Sequence, residues 1–500
     1  MLMAIAAGVA LAAQPAAPPA PAQPAAAPPA AAAQGPAEAV ARRLLEVIGS
    51  GDEARARSFF AEAFAPESAE FEPREQTLAR LLALTRQSGG VEIADWQSEG
   101  ERIFFGGQTR RGAIPVQGMV GVRGGRIMGF ELQRNPRARG EGAPAWPPAA
   151  TAPAEAVQAI AREIDWRAQA GRFSGAVLIA HRGQPVLERA WGLARRGPDV
   201  AATPATLFTT ASSTKMLTSM AIGRLIDQGK LGFDTPVAKA VPALASAPGA
   251  AGVTIRDLLG HRVSYGDHFD QLRGNPLRNT HRRVTELLPV VAAREPQRAP
   301  EGRVEYSNSN YLVLAAAVEA ASGRSYYDFV ASEILEPLAM EHTMFGTAAG
   351  RPEKAAVGWI KDEISDPLGL GDWRANDDRM GGFRGGPAGG AWSTARDMWR
   401  FVDAVAAGRV VRPETLQLMW GDRRHVSRNL GAAIGFMFRG GKEPSFFGHS
   451  GGGGNAGVSS SIFITPDREW AVVVLSNFSS PAGEMLGGQI MDYLAGLPRQ

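Results

Sequence analysis

Thr209-Thr210-Ala211-Ser212-Ser213-Thr214-Lys215 leads into an apolar run, Met216, Leu217, Met220, Ala221, Leu225 and Ile226, that stops at Gly229. Apolar residues three and four apart specify a helix, and the hydroxyl-rich segment before them has the composition of a helix start. A serine at that start is favoured as a nucleophile, because the macrodipole and the free N–H groups stabilise developing negative charge. Lys215, at i+3 from Ser212, projects from the same face one turn on. A lysine in a partly desolvated pocket loses proton affinity, so it can act as a base or help a neighbour do so. This is the one S-x-x-K in a chain with six lysines, and Ser213 does not compete because Met216 occupies its i+3 position. Such a tetrapeptide also arises by chance, so the reading depends on what accompanies it.

Two other segments could complete the chemistry. Glu305-Tyr306-Ser307-Asn308 follows the turn Ala299-Pro-Glu-Gly302 and precedes a helical run from Tyr311 to Ser322. A loop-borne tyrosine can take the serine proton and return it to a leaving group, if a nearby lysine holds its pKa well below the usual value near 10. Asn308 could orient Lys215 or hydrogen-bond a substrate amide; the plainer alternative is a surface aromatic beside a helix-capping asparagine. The third segment is Phe447-Gly-His449-Ser450-Gly451-Gly452-Gly-Gly454. Its glycines would let backbone approach a ligand closely, although a flexible turn has the same composition. As an edge strand it would offer an N–H to an oxyanion and His449 to the tail of a substrate.

Composition bounds the rest. A chain of 500 residues, 45% hydrophobic and 21% charged, has room for two or three folded units and is neither disordered nor collagenous. Without cysteine it carries no disulfide framework, Cys-ligated zinc, iron–sulfur cluster, catalytic thiol or thioether-linked lipid. The balance of 53 basic against 50 acidic residues gathers no basic patch, so nucleic acid and an anionic membrane surface are not expected partners.

Met1 to Ala13 is a short apolar stretch ending in small residues, too short for a stable membrane span, and it reads as a secretion signal that no Lys or Arg precedes. The expectation is export, to the periplasm, as a soluble protein. Residues 14–36 are almost all Ala and Pro, a semi-rigid tether. Over 37–134, helical runs ending at Gly51 and spanning Glu75 to Arg86 give way to four antiparallel strands, Val91 to Trp96, Arg102 to Arg110, Ile114 to Val122 and Gly125 to Leu132. This α+β pattern resembles the cone-shaped nuclear-transport-factor-2-like domains and holds no catalytic constellation. A second Pro/Ala/Gly linker covers 135–153, and 154–500 reads as one long unit. In it a helix ends near Gly171, a hairpin pairs Gly175 to His181 with Pro185 to Trp191, and a largely helical middle follows. A second hairpin, Val458 to Thr465 with Trp470 to Ser476, is closed by a helix from Glu484 to Leu494. Strands at both ends around a helical insert suggest a single antiparallel sheet with helices against it.

The order Ser-x-x-Lys, Tyr-Ser-Asn, His-Ser-Gly resembles the serine β-lactamase and penicillin-recognising family. The nearest branch is the class C-like one, which includes esterases, D-aminopeptidases and D-alanyl-D-alanine carboxypeptidases. Supporting stretches are Gly229 to Pro236, Val253 to His261 and Gly389 to Asp397, and the resemblance runs from about Ile160 to Leu494. It implies a two-lobed α/β fold, an antiparallel sheet flanked by helices plus an all-helical lobe, preceded by the small α+β domain. It implies Ser212 as nucleophile, Lys215 and Tyr306 as a proton-sharing pair, and an oxyanion hole from the N–H groups of Ser212 and Gly452. Asn308, His449, Ser450 and Gly451 would contact the substrate. The implied chemistry is acyl transfer through an acyl-enzyme on an ester or a D-amino-acid amide or peptide, with no metal and no cofactor; β-lactam hydrolysis and carboxypeptidase action are the alternatives. The partner is a small-molecule or peptide substrate, and the oligomeric state is open.

Two departures bear on substrate. His449 stands where lactamases and transpeptidases have a lysine for the substrate carboxylate, and a neutral imidazole anchors an anion less well. Gly260-His261-Arg262-Val263-Ser264-Tyr265-Gly266 replaces the usual Thr-His-Thr-Ser-Gly, so one wall of the cleft is rebuilt, with His261 structural. Three rival readings remain. Gly448 to Gly452 matches the G-x-S-x-G elbow of α/β-hydrolases, but no histidine follows Ser450. The seven histidines show no zinc-hydrolase spacing. The third is a non-catalytic cell-wall peptide-binding or sensor protein, against which the retention of Ser212, Lys215 and Tyr306 counts.

Overall fold

The structure, a computed structural model, describes residues 35–66, 73–135, 143–147, 152–272, 275–346, 352–361, 365–376, 384–427, 430–453 and 456–498. The expected signal, Met1 to Ala13, lies outside the described residues, as does most of the Ala/Pro tether. Among the described residues no helix is long and apolar enough to cross a membrane. The chain divides into two units: Met1–Glu141 with Lys361–Asp372, and Gly142–Ile360 with Trp373–Gln500.

The first unit begins with three helices, α1 (Pro36–Gly49), α2 (Glu53–Ala63) and α3 (Arg74–Ser88). A four-stranded antiparallel meander follows: β1 (Val91–Glu99), β2 (Arg102–Thr109), β3 (Pro115–Arg123) and β4 (Arg126–Arg134). The four strands stand where the alternating pattern puts them, whereas α2 was not expected. Its inward residues Ala56, Phe59, Phe60 and Ala63 make a short stripe on a charged, eleven-residue helix, and Asp52 caps it through the Ala54 and Arg55 N–H groups. The core of this unit also takes in the fully buried Leu368 from the distant segment Lys361–Asp372. Gln87 holds that segment by donating to the Ser365 carbonyl at 3.1 Å. No compositional break marks these residues off from their neighbours.

The second unit is built on an eight-stranded antiparallel sheet. Its first helix is α4 (Pro153–Gln169), and its first strands, β5 (Gly175–His181) and β6 (Gln184–Trp191), turn tightly through Arg182 and Gly183, both at left-handed φ. Helix α5 (Lys215–Asp227), then α6 (Ser309–Ser322) and α7 (Ala395–Ala406), come from the middle of the chain. The remaining strands are β7 (Arg424–Ser427), β8 (Leu430–Ala433), β9 (Phe436–Gly440), β10 (Pro444–Gly452), β11 (Ser459–Ile464) and β12 (Trp470–Ser476), and α8 (Ala482–Ala495) closes the unit. The sheet order is β7-β8-β9-β10-β11-β12-β5-β6, so early and late strands meet where β12 pairs with β5, from Trp470 opposite His181 to Ser476 opposite Gly175.

Both faces of that sheet are covered, which explains why its central strands are apolar at nearly every position. Ala176, Leu178 and Ala180 of β5 and Val473 and Leu475 of β12 join the main core with α5, α6 and α7. The alternate residues Val177, Ile179, Val472 and Val474 join a second core with α4 and α8. The three strands β7 to β9 extend the sheet beyond the expected hairpins.

Candidate active site

The turn before α5 is fixed by its own hydroxyls. Ser212 lies in a single 3-10 turn, Ala211–Thr214, rather than in the helix proper. Ala211 takes φ +45°, a left-handed conformation that costs an L-residue about 1–2 kcal/mol. Thr214 Oγ1 stabilises it by donating to the Ala211 carbonyl at 2.8 Å and accepts the Ala391 N–H at 3.2 Å. Thr210 Oγ1 lies 2.8 Å from Thr214 Oγ1. Ser213 Oγ donates to the His449 carbonyl at 3.1 Å and lies 3.0 Å from Ser460 Oγ, which donates to the Thr210 carbonyl at 2.8 Å. Ser213 therefore ties the turn to the sheet, and Thr210 and Thr214 tie it to each other and to Ala391. Ser212, 8% exposed, makes none of these ties.

Lys215 is fully buried, and its Nζ donates to Asn308 Oδ1 at 2.7 Å and to the Ala388 carbonyl at 2.6 Å. Burial lowers its pKa to about 7, with the Asp267 carboxylate pulling the other way. Asn308 occupies the N-cap position of α6 without capping it. Its amide is engaged at both ends, since Nδ2 donates to Asp267 Oδ2 at 2.9 Å. Of the two roles open to Asn308, this geometry serves that of orienting Lys215, and Asp267 orients Asn308 in turn. Asp267 went unremarked in the sequence, although it directly follows the rebuilt segment ending at Gly266.

The Tyr306 phenol is not held low as a neighbouring lysine could hold it. Lys215 Nζ lies 4.9 Å from the centre of its ring and makes no hydrogen bond to its hydroxyl. Burial therefore governs, and the phenol is pushed well above its ordinary range, against a lowering influence from the Ser212 hydroxyl. The Tyr306 hydroxyl is buried and completes no hydrogen bond of good geometry. Its ring is stacked on His261 with centroids 4.6 Å apart, and His261 Nδ1 accepts the Ser307 N–H at 3.2 Å. His261, held neutral by burial, thus sets the plane of Tyr306 in the structural role expected of it.

The glycine-rich segment is strand β10, and it is an edge only in part. β9 pairs with Pro444 to Gly448, while β11 pairs from Phe447 to Gly452. Among the described residues the outer side of His449 to Gly452 carries no strand partner in the sheet, and this is the part that meets Ser212. A Cβ added to Gly451 would lie 2.4 Å from Ser212 N and 2.9 Å from its Cα, so no other residue fits there. His449 is buried, with Nδ1 donating to the Ser450 carbonyl. Burial and the nearby Lys215 lower its pKa to about 3, so it supplies no cation at neutral pH. Ser450 lies within the strand, opposite Ser461, and not on a strand-to-helix elbow.

Comparison with known proteins points the same way. The sequence model described as Beta-lactamase matches residues 154–493. Protein flp of Staphylococcus aureus is 28% identical over 205 residues, 40% of this chain and 41% of that protein, so the chain spans less than half the length of the curated relatives matched there. Among solved structures, a penicillin binding protein from Bacillus halodurans shares 25% identity at a TM-score of 0.57, over 65% of this chain and 98% of the other. A D-amino acid amidase from Ochrobactrum anthropi SV3, 22% identical at a TM-score of 0.55 over 68% and 96% of the two chains, shares the fold.

Proposed function

The chain belongs to the beta-lactamase family over residues 154–493, and from that premise we propose that it is a serine hydrolase working through an acyl-enzyme at Ser212 on an ester or a D-amino-acid amide. The observation that carries this reading is the environment of Lys215. A neutral amine has two N–H bonds and one lone pair. The Asn308 and Ala388 oxygens take the two N–H bonds, which leaves the lone pair for the Ser212 hydroxyl one turn earlier. With a pKa of about 7, a large share of Lys215 is neutral at physiological pH.

In the proposed cycle Lys215 takes the Ser212 proton as Oγ attacks the carbonyl. The N–H groups of Ser212 and Gly452 receive the oxyanion. Tyr306, which burial keeps protonated, gives its proton to the leaving group and recovers one from Lys215. Water, deprotonated by the same pair, then releases the acyl group. The neutral His449 favours substrates without a carboxylate at that end. Export to the periplasm is part of the proposal, supported by the apolar Met1 to Ala13 stretch and tested by N-terminal sequencing of protein from a fractionated cell.

Intact mass after exposure to a fluorophosphonate, and separately to a penicillin, tests the reading together with p-nitrophenyl butyrate and D-phenylalaninamide turnover. A fluorophosphonate adduct with turnover supports it. A folded protein giving neither would instead be a binding protein.

Two further outcomes are expected. First, kcat/KM for the uncharged ester rises about tenfold per pH unit below pH 7 and levels off above it, because the active form is neutral Lys215 and its pKa is about 7. Tyr306, pushed above its ordinary value near 10, adds no falling limb up to that pH. A flat profile between pH 5.5 and 8 would contradict the base assignment. Second, Gly451→Ala drives a methyl into the Ser212 backbone and should lower turnover on the order of 100-fold by displacing an oxyanion donor. Ester kinetics beside a thermal melt would separate that from unfolding.

A further inference from the structure

One carboxyl beside the candidate site has no part in the proposed cycle. Glu484 stands in the first turn of α8, half-buried as a residue. A Cβ on Gly452 would fall 3.0 Å from its Oε1, 2.2 Å from Ser480 Oγ and 2.8 Å from the Val458 carbonyl. Gly452 is the strand residue after Gly451, whose own Cβ position abuts Ser212 N. The carboxyl therefore sits against the tip of the strand that would hold the oxyanion, and its charge reaches the Tyr306 phenol.

Among the described residues it has no counter-charge. The Ser480 hydroxyl bonds to it, burial raises its pKa to about 7, and among the described residues no cation offsets that burial. The Lys215 ammonium is instead influenced by Asp267. Arg439, whose Nη2 would come within 3.9 Å of a Cβ at Gly488 one turn on, is committed to Asp492 Oδ2 at 2.5 Å. An enclosed carboxyl with a neutral hydroxyl as its partner gains from any cation brought to it.

Resting on the hydrolase reading above, we propose that Glu484 is a specificity residue: it receives the ammonium of a substrate with an amine next to the scissile carbonyl and disfavours one with a carboxylate there. In an α-amino amide the nitrogen is one carbon from the carbonyl carbon. Because alternate strand residues face opposite sides, Gly451 meets Ser212 and Gly452 meets Glu484, and in the proposal that nitrogen lies at the strand tip between them.

A binding comparison tests this without relying on turnover. Ser212→Ala protein is titrated calorimetrically at about pH 7 with D-phenylalaninamide and with N-acetyl-D-phenylalaninamide, which lacks the charge. The free amine is expected to bind about 10- to 100-fold more tightly, and Ser212→Ala/Glu484→Gln to bind the two alike. Glu484→Met gives the same comparison where the Gln variant does not fold. Equal affinities in Ser212→Ala, or a preference that survives loss of the carboxyl, would overturn the proposal. Absence of a fluorophosphonate adduct on the wild-type protein would end the hydrolase reading and leave this binding comparison intact.

Discussion

Ser212→Ala is expected to abolish the fluorophosphonate adduct and to lower ester turnover on the order of 10⁴-fold or more, with the melting temperature nearly unchanged. The contrast between neighbouring hydroxyls carries this expectation. Thr210, Ser213 and Thr214 each tie the 3-10 turn to the sheet, to Ala391 or to the strained Ala211. Removing any of them should cost about 1 kcal/mol or more of stability, because a buried partner is left unsatisfied. Ser212 contributes no such tie, so its loss should appear in chemistry and not in folding. Intact-mass spectrometry and a thermal melt on the same preparation separate the two. A Ser212→Ala protein that still forms the adduct would place the nucleophile elsewhere.

Lys215→Met is expected to lower kcat/KM on the order of 10³-fold and to remove the rise of rate through pH 7. Methionine nearly fills the space of the buried stem, but it offers no lone pair to the Ser212 proton and leaves Asn308 Oδ1 and the Ala388 carbonyl without their donor. Lys215→Arg should be equally inactive, since a guanidinium stays charged at every relevant pH. The pH–rate profile is the decisive measurement, because a lysine acting only as packing would change the plateau and leave the shape intact. A Met variant that kept the rising limb would transfer the base role to another group.

Much of this arrangement was legible in the residues themselves. The helix after Ser212, the two hairpins and the closing helix follow from apolar periodicity that a covered sheet and its flanking helices both demand. The S-x-x-K, Tyr-Ser-Asn and His-Ser-Gly segments are brought into one unit, with Lys215 bonded to Asn308 and Gly451 packed on Ser212. What was not legible depends on three-dimensional detail. The second acceptor of Lys215 is the backbone oxygen of Ala388, and a carbonyl leaves no mark in sequence. Asp267 acts through Asn308, so its identity matters only once the amide's orientation is known. The direction of the Tyr306 shift is set by the burial of its hydroxyl, which no sequence pattern marks. Strands β7 to β9 are short, and α2 shows one brief stripe, so neither gives a strong periodic signal.

The segment Lys361–Asp372 has a consequence for modularity. The first unit is not a bead strung ahead of the second, because part of its interior is supplied by chain that leaves the second unit after Ile360 and rejoins it at Trp373. A gene cut at the linker near residue 150 would strip Leu368 of the partners that bury it and expose about 2 kcal/mol of apolar side chain to water. The same cut would deprive the severed front piece of a core residue. Interleaving of this kind makes the pair a single heritable block, in which a domain swap or a truncation must carry both stretches of chain or accept two damaged halves.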